Sequence, residues 1–297
     1  MHFAERTLAL LNDPSTAFGP VSSVLSAADI AMVNLETAVT TGGTPEPKQY
    51  HFRAPPSAFA ALKSAGVDVV TLANNHSLDY GQVGLADALA SASIPVVGAG
   101  ASASAAYAPW VTTVKGVRIA FLGFSQITEL ASTWIATDTR PGIAMALDFS
   151  PALEAIRSAR AVADVVVVYM HWGQEYNECP IALQTSFAAA AASAGASLIV
   201  GTHAHVMQGS GWLGSSFVFY GLSNFVWWWN DAQSNDTGVL RVTLTGSSIT
   251  GTEFLPAYID RTTGQPIPST GEEAARISAE HEALQGCTGL ATTRPPG

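Results

Sequence analysis

Charge is scarce in this 297-residue chain. Asp, Glu, Lys and Arg together make up 12% of it, about half the share usual in soluble domains. Positive charge is scarcer still, with 13 Lys and Arg against 23 Asp and Glu and a net charge of −10. Nucleic-acid binding draws on clustered Lys and Arg, so nucleic acid is not an expected partner. No block of five like charges occurs, which removes a charged interaction tail. Cysteine is limited to Cys179 and Cys287, too few for a disulfide scaffold; they form one bridge or remain two buried thiols. Long apolar runs are missing as well. The run Val165-Val166-Val167-Val168-Tyr169-Met170 falls far short of the ~20 residues that cross a bilayer. Residues 1–12 set Glu5 and Arg6 before a short Leu/Ala run, a poor secretory signal.

What the chain does have is apolar weight. Hydrophobic residues reach 48%, enough for a sizeable core and against disorder. Val- and Ile-rich runs bounded by Gly, Pro, Asn or Asp predict strands over 30–34, 67–73, 95–98, 110–114, 117–124, 164–171, 197–201, 217–220, 238–245 and 248–254. Ala-rich stretches predict helices over 57–65, 83–93, 151–162 and 181–194, with Gly66 and Gly195 as stop signals after the first and last. Such alternation reads as an α/β fold, and residues 164–170, apolar on both faces, as a buried strand. The strands of the last third lack intervening helices and suggest a mixed second sheet. The chain divides into a main domain over 1–260 and a C-terminal helix (272–284) with polar tail over 261–297. Its end, Arg294-Pro295-Pro296-Gly297, is expected to fray.

Four predicted strands run into polar motifs: Asn34-Leu35-Glu36, Ala73-Asn74-Asn75-His76, His171-Trp172-Gly173 and Gly201-Thr202-His203-Ala204-His205. Ligand sites in open α/β sheets lie beyond the carboxyl ends of strands. The motifs therefore gather imidazole, carboxylate and amide oxygen on one edge, a donor set for borderline or hard divalent ions. Each motif alone has an ordinary explanation. An Asn-His pair is commonly a turn with a satisfied histidine, and His-Trp-Gly a strand end packing an aromatic. His-x-His stands evenly between a ligand pair and plain structure. Counting His2, however, the set takes up five of the seven histidines, and chance placement explains that poorly.

Read as one ordered pattern, residues 34–36, 73–81, 171–175, 201–205 and 221–225 spell Asn-Leu-Glu, Ala-Asn-Asn-His-x-x-Asp-x-Gly, His-Trp-Gly-x-Glu, Gly-x-His-x-His and Gly-x-x-Asn-Phe. This resembles the bacterial poly-gamma-glutamate capsule biosynthesis proteins of the CapA type, over roughly residues 1–255. The resemblance implies a calcineurin-like metallophosphatase fold, a four-layer α-β-β-α sandwich with a two-metal site at the strand ends. It implies Glu36 as the bridging carboxylate, where the superfamily has Asp, and Asn75 as the amide ligand. It implies His171, His203 and His205 as imidazole ligands, and His76 as the catalytic histidine. The family's first strand typically ends in Gly-Asp, whereas this chain begins Met1-His2-Phe3. The first strand is thus expected to be missing and to lie upstream of Met1, with His2 completing its motif. One ion would then take His2, Glu36 and His205, and the other Glu36, Asn75, His171 and His203. Manganese, iron and zinc all suit these donors.

A site of that kind activates water for in-line attack on phosphorus, with His76 protonating the leaving alkoxide. Asp79 either orients His76 or is a helix-entry carboxylate. Lys48, His51 and Arg53 follow Glu36 in a loop and either meet an anionic group or are solvated. Arg53, Glu175 and Asn224 are the candidate substrate-binding residues. Trp227-Trp228-Trp229 packs against the sheet or offers a ligand platform. Three functions fit: a capsule or envelope-polymer factor working with other capsule synthesis proteins, a metal-dependent phosphoesterase acting on an anionic small molecule or envelope polymer, and a non-catalytic binding scaffold. A start upstream of Met1 would place the protein at the cell surface or membrane.

Overall fold

The structure is a computed structural model describing residues 1–295. The first layer pair is built from β1 (Met32–Asn34), α1 (Ser57–Ser64), β2 (Val69–Thr71), α2 (Gly81–Ser91) and β3 (Val96–Val97). The three strands form a parallel sheet in the order β1-β2-β3. The second pair contains β4 (Trp110–Val114), β5 (Val117–Ser125), α3 (Phe149–Val162), β6 (Val165–His171), α4 (Ala182–Ala194), β7 (Leu198–Thr202), β8 (Met207–Leu213) and β9 (Ser216–Leu222). Its six-stranded sheet runs β8-β9-β7-β6-β5-β4. The four central strands are parallel and the two outer ones antiparallel.

Side-chain alternation along the strands makes the layers. In β6, Val166, Val168 and Met170 pack with Ala152 and Ile156 of α3 and Phe187 and Ala188 of α4. The intervening Val165, Val167 and Tyr169 pack with Val69 of β2 and Val97 of β3, as the two-residue period of a strand demands. On the far side of the small sheet, Val33, Val70 and Leu72 meet Phe59 and Leu62 of α1 and Leu85 of α2. Each such side chain, fully buried, is worth about 1.5–3 kcal/mol of transfer free energy. The result is the expected α-β-β-α sandwich. Parallel strands share one carboxyl edge, so Asn34 stands opposite Thr71, and His171 between Ser125 and Thr202. Met1 adds a position beside β1: its N–H donates to Asn34 O (3.0 Å) and its carbonyl accepts from Glu36 N (2.8 Å).

The sequence reading missed β8, whose Met-Gln-Gly-Ser-Gly-Trp-Leu has no apolar alternation. Its glycines have a packing reason. A Cβ on Gly209 would lie 2.6 Å from the Leu284 carbonyl oxygen, and one on Gly211 2.7 Å from that of Ala291, so the C-terminal segment can lie directly on the strand. The expected mixed second sheet is met by the strands over 198–202 and 216–222 and not by those that follow. β10 (Asp236–Thr245), β11 (Ser248–Ile259) and β12 (Pro266–Pro268) form an antiparallel sheet, and the mixed sheet is the six-stranded one.

The tail is held further than expected. After α5 (Gly271–Ala283), Ala291 bridges Trp212 of β8, and the Arg294 guanidinium lies over the Trp212 ring. Pro296 and Gly297 lie outside the described residues. Cys179 and Cys287 form a disulfide with a Cα–Cα distance of 5.7 Å, fastening the chain after α5 to the loop after β6. Among the described residues, no helix is long and apolar enough to cross a membrane.

Candidate metal centre

The four motifs meet at the shared carboxyl edge. Asn74 joins the first two: its Nδ2 donates to Asn34 Oδ1 and to the Leu35 carbonyl, both at 2.9 Å. Its Oδ1 accepts from His76 N and Ser77 Oγ, both at 3.0 Å. That local turn is one Asn side chains favour, and it aims Asn75 and His76 back over the sheet. In the fourth motif His203 and His205 have φ of 100° and 59°, and nearby Ser223 has 65°. Non-glycine residues are strained there, at a cost of about 1–3 kcal/mol each, and the strain falls where the chain must turn two imidazoles inward.

Glu36, His203 and His205 each offer a donor atom, all within 4.8 Å of one another. Glu36 and His203 are buried, and the His205 side chain is only 11% exposed. His171 Nε2 lies 2.8 Å from Asn75 Oδ1 and 3.4 Å from Glu36 Oε1, so both join the group. Several donors here have no hydrogen-bond partner: Glu36 Oε1, His203 Nδ1 and both nitrogens of His2. A buried polar atom left unpaired costs about 1–3 kcal/mol, a cost that a bound cation would offset. Burial pushes the pKa of His2, His171 and His203 well below the usual histidine range, and neighbouring imidazoles push the same way. Neutral imidazole is the form that binds metal. The donors fit a divalent ion.

His2 is brought to the edge of this group. Its ring lies between Phe52 (centroids 3.9 Å) and Trp227 (4.5 Å), and Trp227 also covers His205 (4.6 Å). Phe52 in turn lies against His76 (4.1 Å). Trp227 is therefore a buried wall of the site. Trp229 is the exposed member of the triplet, edge-on to Trp228. His76 Nδ1 lies 2.7 Å from Asp79 Oδ2, which also accepts from Phe52 N at 2.6 Å. Asp79 thus orients His76 and is not merely a helix-entry carboxylate.

Three expectations change. Arg53 is not in the site: Phe52 faces His2 and His76, so the next residue of the extended chain points away, and its guanidinium lies 4.4 Å above Tyr80. Asn224 stands behind His205, its amide taken up by the protein. Its Oδ1 accepts from His205 Nδ1 at 2.8 Å, and its Nδ2 donates to the carbonyls of His205 and Ser234. An acceptor there keeps His205 Nε2 for a metal. Lys48 is buried rather than solvated, while His51 faces the Glu46 carbonyl at 2.6 Å, outside the site. Glu175 is half-exposed beside His205, with Oε1 3.9 Å from its Nε2. The organising roles of Asn34, Asn74 and Asn224 went unread, although all three lie inside the quoted motifs. Phe52 carried no sequence signal.

Comparison with known proteins bears on the family and the fold. The profile of the bacterial capsule synthesis protein PGA_cap matches residues 2–227. The chain is 32% identical over 256 residues to the PGA biosynthesis protein CapA of Bacillus subtilis (strain 168), covering 84% of this chain and 67% of that one. It is 33% identical over 229 residues to the capsule biosynthesis protein CapA of Bacillus anthracis, covering 75% and 55%. It thus spans between about half and two thirds of these relatives. Among solved structures, a hypothetical protein from Thermus thermophilus aligns with a TM-score of 0.51 at 16% identity, over 88% of this chain and 94% of that one. The NAD nucleotidase NadN of Haemophilus influenzae also aligns at 0.51, with 13% identity over 99% and 58%. At such identities the likeness is one of fold, and that fold is metallophosphatase-like. By sequence and architecture together, the chain belongs to the PGA_cap family of bacterial capsule synthesis proteins.

Proposed function

We propose that this protein hydrolyses a phosphoester bond during capsule-polymer synthesis, using two divalent ions held at the strand ends. The observation that carries the reading is the convergence of buried, unpaired donors from Glu36 and His203 with His205, beside His171 and Asn75. One ion would draw on His2, Glu36 and His205, the other on Glu36, Asn75, His171 and His203. When bound, the ions supply Lewis acidity for the phosphoryl group and for water.

The chain supplies the rest. Asp79, paired with Lys48 at 3.0 Å, accepts from His76 Nδ1; with both ring nitrogens protonated, His76 would hand its Nε2 proton to the departing oxygen and keep the Nδ1 proton in the Asp79 hydrogen bond. Asn224 holds His205 by its other nitrogen. Phe52 and Trp227 wall the His2 side with apolar rings, which keeps the local dielectric low and strengthens charge interactions within. Glu175, half-exposed beside His205, meets the substrate. The substrate is an anionic small molecule or envelope polymer, and other capsule synthesis proteins are the expected partners.

The test is hydrolysis of bis(4-nitrophenyl) phosphate by purified protein with manganese, iron or zinc. Metal-dependent turnover, lost on chelation and reduced at least a hundredfold in His76→Ala, supports the reading. Wild-type protein that binds metal and releases no nitrophenol with any of the three overturns it.

A further inference from the structure

Lys48 enters the reading so far only as the ion-pair partner of Asp79, yet its ammonium is buried, with the side chain 2% exposed. A buried charge is costly unless paired, and the partners show where it acts. Nζ lies 3.0 Å from Asp79 Oδ1 and 3.1 Å from Glu129 Oε2, and it donates to the backbone carbonyl of Asn75. An ammonium has three protons: Asp79 Oδ1 and the Asn75 carbonyl accept two of them, Glu129 Oε2 is an ion-pair partner, and His76 Nδ1 is a further, longer contact at 3.4 Å. The Trp134 ring covers the group at 5.0 Å.

Both acceptors belong to the turn that presents Asn75 and His76. The loop carrying Lys48 is laid on that same turn. Glu46 N donates to the Asp79 carbonyl at 2.9 Å, and a Cβ on Gly43 would lie 2.2 Å from the Tyr80 carbonyl oxygen. Asp79 is then held on every side: by Lys48 at Oδ1, and by Phe52 N and His76 Nδ1 at Oδ2. A carboxylate so fixed accepts and does not donate, and at 2.7 Å Asp79 Oδ2 lies closer to His76 Nδ1 than the Lys48 ammonium does at 3.4 Å, so that nitrogen carries the proton. Glu129, on a different loop and 42% exposed, anchors the ammonium from outside.

We propose that Lys48 is a positioning residue: it locks Asp79 and the Asn75 carbonyl in one arrangement and thereby selects the His76 tautomer with its proton on Nδ1. The proposal rests on the reading of His76 as proton donor for its consequence in turnover, but the tautomer itself is open to direct measurement.

The experiment uses 15N-histidine-labelled protein with wild-type sequence, Lys48→Met and Lys48→Arg. Nitrogen NMR of the metal-free protein reads the His76 tautomer, and bis(4-nitrophenyl) phosphate with manganese reads turnover. In the neutral form that remains after that donation, wild-type His76 should hold its proton at Nδ1 alone. Lys48→Met should show mixed tautomers, with kcat reduced about 10–100-fold, the range for residues that orient a site's ligands, and KM within twofold. Lys48→Arg should restore the single tautomer and part of kcat. A neutral wild-type His76 protonated at Nε2 overturns the proposal even if Lys48→Met fails to fold. So does a folded Lys48→Met with unchanged tautomer and kcat within twofold. Absent turnover in wild type would instead sink the phosphoesterase reading, with the tautomer still deciding for Lys48.

Discussion

His203 is buried and His281 half-buried; each has a ring nitrogen that finds no partner, and desolvation lowers the pKa of both. Their surroundings differ. His203 stands at the strand ends with Glu36 and His205 within ligand reach and His171 at 4.7 Å between ring centroids. His281, on α5, lies flat on Phe219 (4.7 Å, 8° between planes) with Phe254 at 4.6 Å. Burial and an orphaned nitrogen are therefore not a site. Several donors aimed at one point make one, because an ion repays desolvation only when shared among them.

The largest effect expected from this comparison is on metal binding. Glu36→Gln or His203→Ala should weaken manganese binding by more than about a hundredfold, above the range for residues behind the ligands, while His281→Ala leaves it within twofold. Titration calorimetry decides, and normal binding by His203→Ala would break the distinction. The disulfide joins the two regions by closing 108 residues of sequence. Cys179→Ser with Cys287→Ser should cost about 2–4 kcal/mol of stability in urea, with metal stoichiometry unchanged.

His281 should show itself in pH dependence. Its pKa falls to about 4 in the fold, against 6.5 for a free histidine. The unfolded chain therefore takes up the proton first. Stability from this group is complete above pH 6.5 and is lost as pH falls toward 4, by about 3 kcal/mol. His281→Phe should remove that part of the slope in denaturation curves at pH 7 and 4.5. Asn224→Ala tests the smallest element, the acceptor behind His205. Metal affinity should drop about tenfold to a hundredfold, without loss of either site in elemental analysis.

Much of this was legible in advance. The strand predicted over 110–114 coincides with β4, and the helix predicted over 57–65 ends one residue beyond α1. Those elements are encoded in local periodicity, which survives without knowledge of the fold. The gathering of His76, His171, His203 and His205 was legible too, because strand ends of a parallel sheet share an edge. The misses have one origin. β8 is polar and glycine-rich and is a strand through its antiparallel ladder with β9, with the C-terminal segment lying on its glycines. Arg53 follows Glu36 closely in sequence, yet strand alternation turns it to Tyr80. Asn224 sits in a motif, but its partner was visible only once β9 and the His203–His205 turn were side by side.

By itself, then, the sequence determined the order of elements, the α/β class, the family pattern and the donor types available at one sheet edge, since all of these follow from short-range spacing. The tertiary structure decided which donors face one another, which carboxylate holds His76, where the Lys48 charge is neutralised, and that Cys179 meets Cys287. Those pairings span from three residues to more than a hundred. They depend on how layers pack and which atoms lose water together, and no local pattern of residues carries that information.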